Sequence, residues 1–180
     1  MAKGWSSLSK LEVTATMKDG RKVELEREVA DHGHGAAILP IDPMRGTCLL
    51  VRQWRAGAAF NGDDGFLIEA CAGLLDADDP KGCVKREAME ELGTRVRNIK
   101  HVFDCYSSPG AVSEKITLFI GTYSQKDRIH AGGGLIAEGE DIEVLEMSLL
   151  AAYGLIATGG IVDAKTIILL QYAVLHPQQK

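Results

Sequence analysis

The stretch that most constrains this chain runs from residue 73 to residue 93. Asp79 is a good N-cap, Pro80 a good first helical residue, and Gly93 fits the position just past a helix end. The spacing predicts a helix over Pro80–Leu92, with Gly82 as a weak point in its first turn. Phe66–Cys71 reads as a strand and Gly73–Asp79 as a loop, so the segment is strand, loop, helix. Glu87, Glu90 and Glu91 stand in the last turns of that helix. Glu87 and Glu91 are spaced i, i+4, and Glu87 and Glu90 i, i+3, so all three share one face. Like charges at that spacing repel by roughly 0.2–0.5 kcal/mol per pair. The macrodipole disfavours anions at a helix C-terminus by about 0.3–1 kcal/mol each. A helix shaped by stability alone would reverse this order of charges. A hard divalent cation resolves the conflict, and carboxylate oxygens suit Mg²⁺ or Mn²⁺. The plainer alternative is a solvated face, with Arg86 pairing Glu90 and Arg95 four residues past Glu91.

Around this segment the chain reads as mixed α/β. Asp19-Gly20 separates two alternating runs, Leu11–Met17 and Lys22–Val29, which signals a hairpin. Ala36–Ile41 and Thr47–Trp54 read as a second hairpin, and Gly57–Gly65 as a loop. Strands follow at Val96–Tyr106 and Ile116–Tyr123. Ser124–Gly139, with Gly132-Gly133-Gly134, is a long polar loop of a length that is often functional. Ile142–Met147 is a short strand, and Ser148–Ala157 and Asp163–His176 are helices. This order suggests an α/β sandwich on a mixed sheet rather than a doubly wound sheet.

At 180 residues the expectation is one domain over 1–180. The net charge of −5 argues against a nucleic-acid binder, which needs a positive face. No apolar run reaches the ~20 residues of a membrane helix, and the first ten residues lack a secretory pattern. Cys48, Cys71, Cys83 and Cys105 form no C-x-x-C pair, which favours core thiols in the cytoplasm over a disulfide set or zinc site. His32 and His34 have no third ligand nearby in sequence, so a polar role at a turn is expected.

Gly73 followed by Arg86-Glu87-Ala88-Met89-Glu90-Glu91-Leu92-Gly93 closely resembles the Nudix box, G-x5-E-x7-R-E-U-x-E-E-x-G-U with U apolar. Two departures are visible. The spacing after Gly73 is one residue short, which puts Asp78 where the pattern has Glu, and Thr94 replaces the last apolar residue. The pieces Leu67–Asp76, Tyr106–Gly110, Ala131–Gly134 and Glu140–Glu146 are similar to the GDP-mannose pyrophosphatase branch of the Nudix hydrolases, which is close to the ADP-ribose pyrophosphatases. The resemblance implies an α/β/α sandwich of mixed sheet with an N-terminal antiparallel strand extension. Residues 1–30 would be strands that reach across to a partner in a homodimer, and 36–180 the catalytic core. It implies Mg²⁺-dependent cleavage of a nucleotide-sugar diphosphate, GDP-mannose first and ADP-ribose as the alternative.

Residue by residue, the resemblance implies metal ligation by Glu87, Glu91, Glu140 and the backbone carbonyl of Ala72. Glu90 would be a second ligand or an orienting group, and Arg86 would steady a box glutamate. Glu140, with Glu138 and Asp141 beside it, is also the candidate general base, although one carboxylate cannot readily be both tight ligand and base. Substrate contacts are implied for Trp5, Arg27, Arg55, Gly73, Glu114, Gly139 and Lys165. Read from the residues alone, Arg55 could equally pair Asp63 or Asp64, Lys165 could be solvated, and Trp5 a packing residue. Glu26 and Gly139 depart from the branch, which is more basic at the first position and acidic at the second. A Nudix-fold binding module without catalysis is the competing class. Such modules usually lack the box glutamates that this chain retains.

Overall fold

The computed structural model describes residues 6–75, 79–135, 137 and 139–177. Its elements in chain order are β1 (Ser7–Thr16), β2 (Lys22–Asp31), β3 (Gly35–Asp42), β4 (Thr47–Trp54), α1 (Ala56–Phe60), β5 (Phe66–Glu69), β6 (Cys71–Leu74), α2 (Pro80–Glu90), β7 (Arg97–Tyr106), β8 (Lys115–Thr122), a 3-10 turn (Gln125–Asp127), β9 (Glu143–Ser148), α3 (Leu149–Thr158) and α4 (Ala164–Leu175). Seven strands form one mixed sheet, in the order β5-β4-β3-β8-β7, with β6 added to β3 and β9 to β4. Among the described strands of this sheet, β3 and β8 are the parallel pair.

The two faces of the sheet carry two cores. On one face Ala36, Ile38, Leu49, Val51 and Cys71 pack with Val84, Ala88 and Leu92 of the α2 segment. On the other, Ala37, Leu39, Leu50 and Leu118 pack with Leu169, Leu170 and Ala173 of α4 and Ala152 of α3. The alternation of strand side chains makes this division. The result is a sandwich on a mixed sheet, as the order of elements suggests, in the α/β/α arrangement that the Nudix resemblance implies.

Four predicted segments differ from the structure, and they surround the site. The expected β3–β4 hairpin holds only at Ile41↔Cys48 and Asp42↔Thr47. Beyond those pairs the strands part, β3 taking β6 as partner and β4 taking β5 and β9. The predicted strand Phe66–Cys71 breaks at Ala70, whose N–H leaves the ladder and donates to Thr166 Oγ1 at 2.7 Å. Gly73 and Leu74, expected in a loop, instead pair Ala36 and Gly35 in the sheet. Gly57–Gly65, expected to be a loop, begins with the single-turn helix α1.

The N-terminal hairpin is a separate two-stranded ribbon in full register from Ser7↔Asp31 to Thr16↔Lys22. Gly20 turns it at φ +83°. It meets the body at its base, where Ala30 N–H donates to Ala111 O (2.8 Å) and Ser113 Oγ donates to Asp31 Oδ1 (2.7 Å). β1 is exposed along almost its whole length, Leu8, Leu11 and Val13 included.

Candidate active site

Helix α2 begins as its sequence predicts. Asp79 accepts the N–H groups of Lys81 and Gly82, each at 2.9 Å, and Pro80 takes the first helical position. The helix ends at Glu90, with Glu91 as its C-cap and Gly93 at φ +63°. Its last turn separates the three glutamates. Glu87 and Glu91 turn inward and are only 9% and 2% exposed. Glu90 turns aside and pairs Arg86 at 3.1 Å, while Arg86 also reaches Glu87 at 2.9 Å. Arg86 thus steadies two box glutamates. The pairing expected of a solvated face exists for Glu90 and not for Glu91.

Strand β6 forms the opposite wall. Ala72 N–H donates to Glu91 Oε2 at 3.3 Å. Gly73 lies against Glu87, whose carboxylate fills the space that any side chain at 73 would need. The consequence for charge is plain. Burial first, then the neighbouring Glu90 and Glu140, raise the Glu87 pKa to about 7, and Arg86 offsets this only in part. Burial likewise drives Glu91 to about 8, with Glu87 and Glu140 adding to it against the pull of a Cys71 thiol hydrogen bond and Arg55. Buried carboxylates without full compensation from protein cations are the donor chemistry that a hard divalent cation fits.

The glycine run that follows is a clamp on this helix. Gly133 N–H donates to Glu91 O at 2.9 Å and Gly134 N–H to Glu90 O at 3.3 Å, satisfying carbonyls that the helix end leaves open. A Cβ at Gly132 would overlap the Glu91 carbonyl. The clamp delivers Glu140 to the edge of the carboxylate pair, near enough to raise both pKa values. Its Oε2 nevertheless accepts Leu135 N–H at 2.7 Å, closing the loop on itself. Among the described residues no three His, Cys, Asp or Glu side chains stand arranged to hold a metal ion.

A cationic wall completes the site. Arg55 forks onto Glu69, Nε to Oε1 at 2.8 Å and NH2 to Oε2 at 3.0 Å. Arg55 does not pair Asp63 or Asp64, its alternatives in sequence. Lys165 Nζ donates to Glu69 Oε2 (2.6 Å) and to Asp163 Oδ1 (2.9 Å), and its side chain is only 12% exposed. It is not the solvated lysine that was the alternative reading. Glu69 is 1% exposed. Burial alone would raise its pKa, but the Arg55 fork and Lys165 outweigh burial and hold it below the ordinary carboxylate range. Sequence reasoning missed Glu69. Its one signal was a charge inside the apolar run Phe66–Cys71.

The remaining candidates divide. Glu114 Oε1 and Gly73 O both stand beside Gly35, at 3.7 and 3.3 Å from where its Cβ would be, so Glu114 borders the site. Gly139 sits in the Glu140 loop at φ +77°. Arg27 lies on the exposed hairpin, donating to Glu26 O at 2.7 Å, and this chain does not bring it to the site. Trp5, Asp78 and Glu138 lie outside the described residues. His34 Nδ1 accepts Lys115 N–H at 3.2 Å, in keeping with a polar role near a turn. All four cysteines are free thiols, and Cys48, Cys71 and Cys83 are buried.

Residues 31–153, which hold both β6–α2 and the Glu140 loop, match the NUDIX domain model. The chain belongs to the Nudix family. As a Nudix hydrolase it belongs to a family that uses divalent metal ions. It is 44% identical over 173 residues to a GDP-mannose pyrophosphatase of Escherichia coli K12, an alignment covering 96% of this chain and 90% of that protein. It is 48% identical over 162 residues to a GDP-mannose pyrophosphatase of Cronobacter sakazakii, covering 89% and 84%. A third, from Citrobacter koseri, is 48% identical over 158 residues, covering 87% and 82%. The described residues of this Nudix hydrolase contain no helix long and apolar enough to cross a membrane.

Proposed function

We propose that this Nudix hydrolase cleaves the diphosphate of GDP-mannose, giving GMP and mannose 1-phosphate, with Mg²⁺ as its cation and Mn²⁺ as a substitute. The observation that carries this reading is the pairing of two buried, charge-strained carboxylates, Glu87 and Glu91, with the cationic wall of Arg55 and Lys165 beside them. An acidic pocket repels a diphosphate unless a cation bridges them. An oriented guanidinium and ammonium then bind the phosphate oxygens that remain.

Glu87, Glu91, Glu140 and the Ala72 carbonyl would hold the cation. When bound, it neutralises diphosphate charge and lowers the pKa of a coordinated water. The chain's own residues do the rest. Arg55 and Lys165 orient the diphosphate, and Gly73 leaves room for the Glu87 carboxylate. Glu114, just before β8 and beside the start of β3, faces the substrate. Glu140, released from Leu135, serves either as that cation ligand or, in its place, as the base for the attacking water, since one carboxylate does not readily do both. Glu90 and Arg86 keep Glu87 in place.

The same reading makes residues 1–180 one catalytic unit that works as a homodimer in the cytoplasm. A lone two-stranded ribbon is marginal in water. The exposed Leu8, Leu11 and Val13 of β1 therefore favour a partner for residues 1–30, which would bring Trp5 and Arg27 to a neighbouring site. The test is hydrolysis with Mg²⁺ across GDP-mannose, GDP-glucose, ADP-ribose, ADP-glucose and UDP-glucose, with an EDTA control. GMP and mannose 1-phosphate, lost on adding EDTA, support the reading. Preference for ADP-ribose would keep the chemistry and change the substrate, and no turnover with either cation would favour a binding module.

A further inference from the structure

Glu69 is a fully buried acid of the site, yet no element of the Nudix box contains it. A buried carboxylate is costly to desolvate, and a well-packed apolar residue of similar size often serves stability equally well. What an apolar residue cannot do is orient two cations. Glu69 uses both oxygens for this: Oε1 takes Arg55 Nε, and Oε2 takes Arg55 NH2 and Lys165 Nζ.

The fork fixes the guanidinium plane. Arg55 has five N–H donors, and Glu69 occupies two of them. Among the described residues no other hydrogen bond engages this side chain, which is 42% exposed. Its outer edge is therefore aimed rather than spent. The Arg55 charge acts on Glu91, so the wall borders the carboxylate face. Lys165 is held against a different resistance. It stands in the first turn of α4, where the macrodipole repels a cation. Glu69 and Asp163 together offset that repulsion.

We propose that Glu69 is a positioning residue. It locks Arg55 and Lys165 into one preset donor wall for the diphosphate of the substrate, and it acts only through those two cations. This rests on the reading of the site as a diphosphate-cleaving centre. Glu69 touches no substrate itself.

The test compares wild type, Glu69→Gln, Arg55→Lys and the double variant. It uses GDP-mannose kinetics with Mg²⁺, calorimetric binding of inorganic pyrophosphate with Mg²⁺, and circular dichroism to verify folding. Glu69→Gln keeps the shape and removes the charge. Arg55→Lys keeps the charge and removes the fork. Each single variant is expected to raise KM and weaken pyrophosphate binding by about tenfold or more, with kcat changed less than about threefold. In the Arg55→Lys background, Glu69→Gln is expected to add less than it costs in the wild type, because the Arg55 contact is already broken and only the contact with Lys165 remains to lose. A folded Glu69→Gln protein with wild-type KM and pyrophosphate affinity overturns the proposal, as do effects that simply multiply in the double variant. If Glu69→Gln fails to fold, wild-type pyrophosphate affinity in Arg55→Lys overturns it. A wild type that binds pyrophosphate but leaves GDP-mannose intact refutes the proposed substrate, and the pyrophosphate comparison still decides the role of Glu69.

Discussion

The carboxylate of Glu87 occupies the space that a side chain on Gly73 would fill. Gly73 does not have a positive φ, so its requirement for glycine is one of room and not of backbone conformation. The missing Cβ lets strand β6 and helix α2 approach with the Glu87 carboxylate seated between them, beside the Glu91 that helical spacing supplies.

Gly73→Ala should therefore separate stability from activity. The atoms in its way belong to a flexible side chain, which can move aside, so the loss of stability should stay within about 1 kcal/mol. The moved carboxylate should lower kcat by about 100-fold. Thermal melts and initial rates measure both, and a variant with wild-type kcat would refute the geometric role of Gly73.

Glu91→Gln should leave the fold intact and, without metal, stabilise it slightly, because it removes a buried like charge while its amide oxygen can still accept Ala72 N–H. Turnover should fall by at least about 100-fold. Unfolding of this variant, or hydrolysis at the wild-type rate, would contradict the assignment of the carboxylate face.

Stability should depend on pH and metal together. Glu87 and Glu91 are raised from an ordinary 4.5 to about 7 and about 8. Between about pH 5 and 8 the folded chain therefore holds protons that the unfolded chain has lost. Protonation favours the folded state below that window, and the benefit is lost as pH rises through the folded values. In EDTA the melting temperature should fall from pH 5.5 to pH 8.5, by a free energy on the order of a few kcal/mol from this pair. Mg²⁺ should restore more at pH 8.5 than at pH 5.5, since it takes the place of the protons. A metal-free melting temperature that rises across that range would show that the pair is not charge-strained.

The hairpin should be the oligomer contact. Light scattering should report a dimer, and Leu11→Asp, an exposed position on β1, should shift it toward monomer at micromolar concentration. A monomeric wild type would remove any role for Trp5 or Arg27 in a neighbouring site.

Helix α2 was legible in the sequence because its signals are local. Asp79, Pro80 and Gly93 act on backbone groups within a few residues, and the i, i+4 spacing of Glu87 and Glu91 follows from helical geometry alone. The hairpin at Gly20 and the burial of three thiols were legible for the same kind of reason. Tertiary structure decided the rest. Glu69 meets Arg55 across 14 residues and Lys165 across 96, and no periodicity couples positions so far apart. The break at Ala70 depends on Thr166, a residue of another helix, offering its N–H an acceptor. Gly132-Gly133-Gly134 reads as a flexible loop until the open carbonyls of Glu90 and Glu91 lie beside it. Spacing along one element is set by backbone geometry, whereas the partner of a buried charge is set by which distant segments the two cores press together.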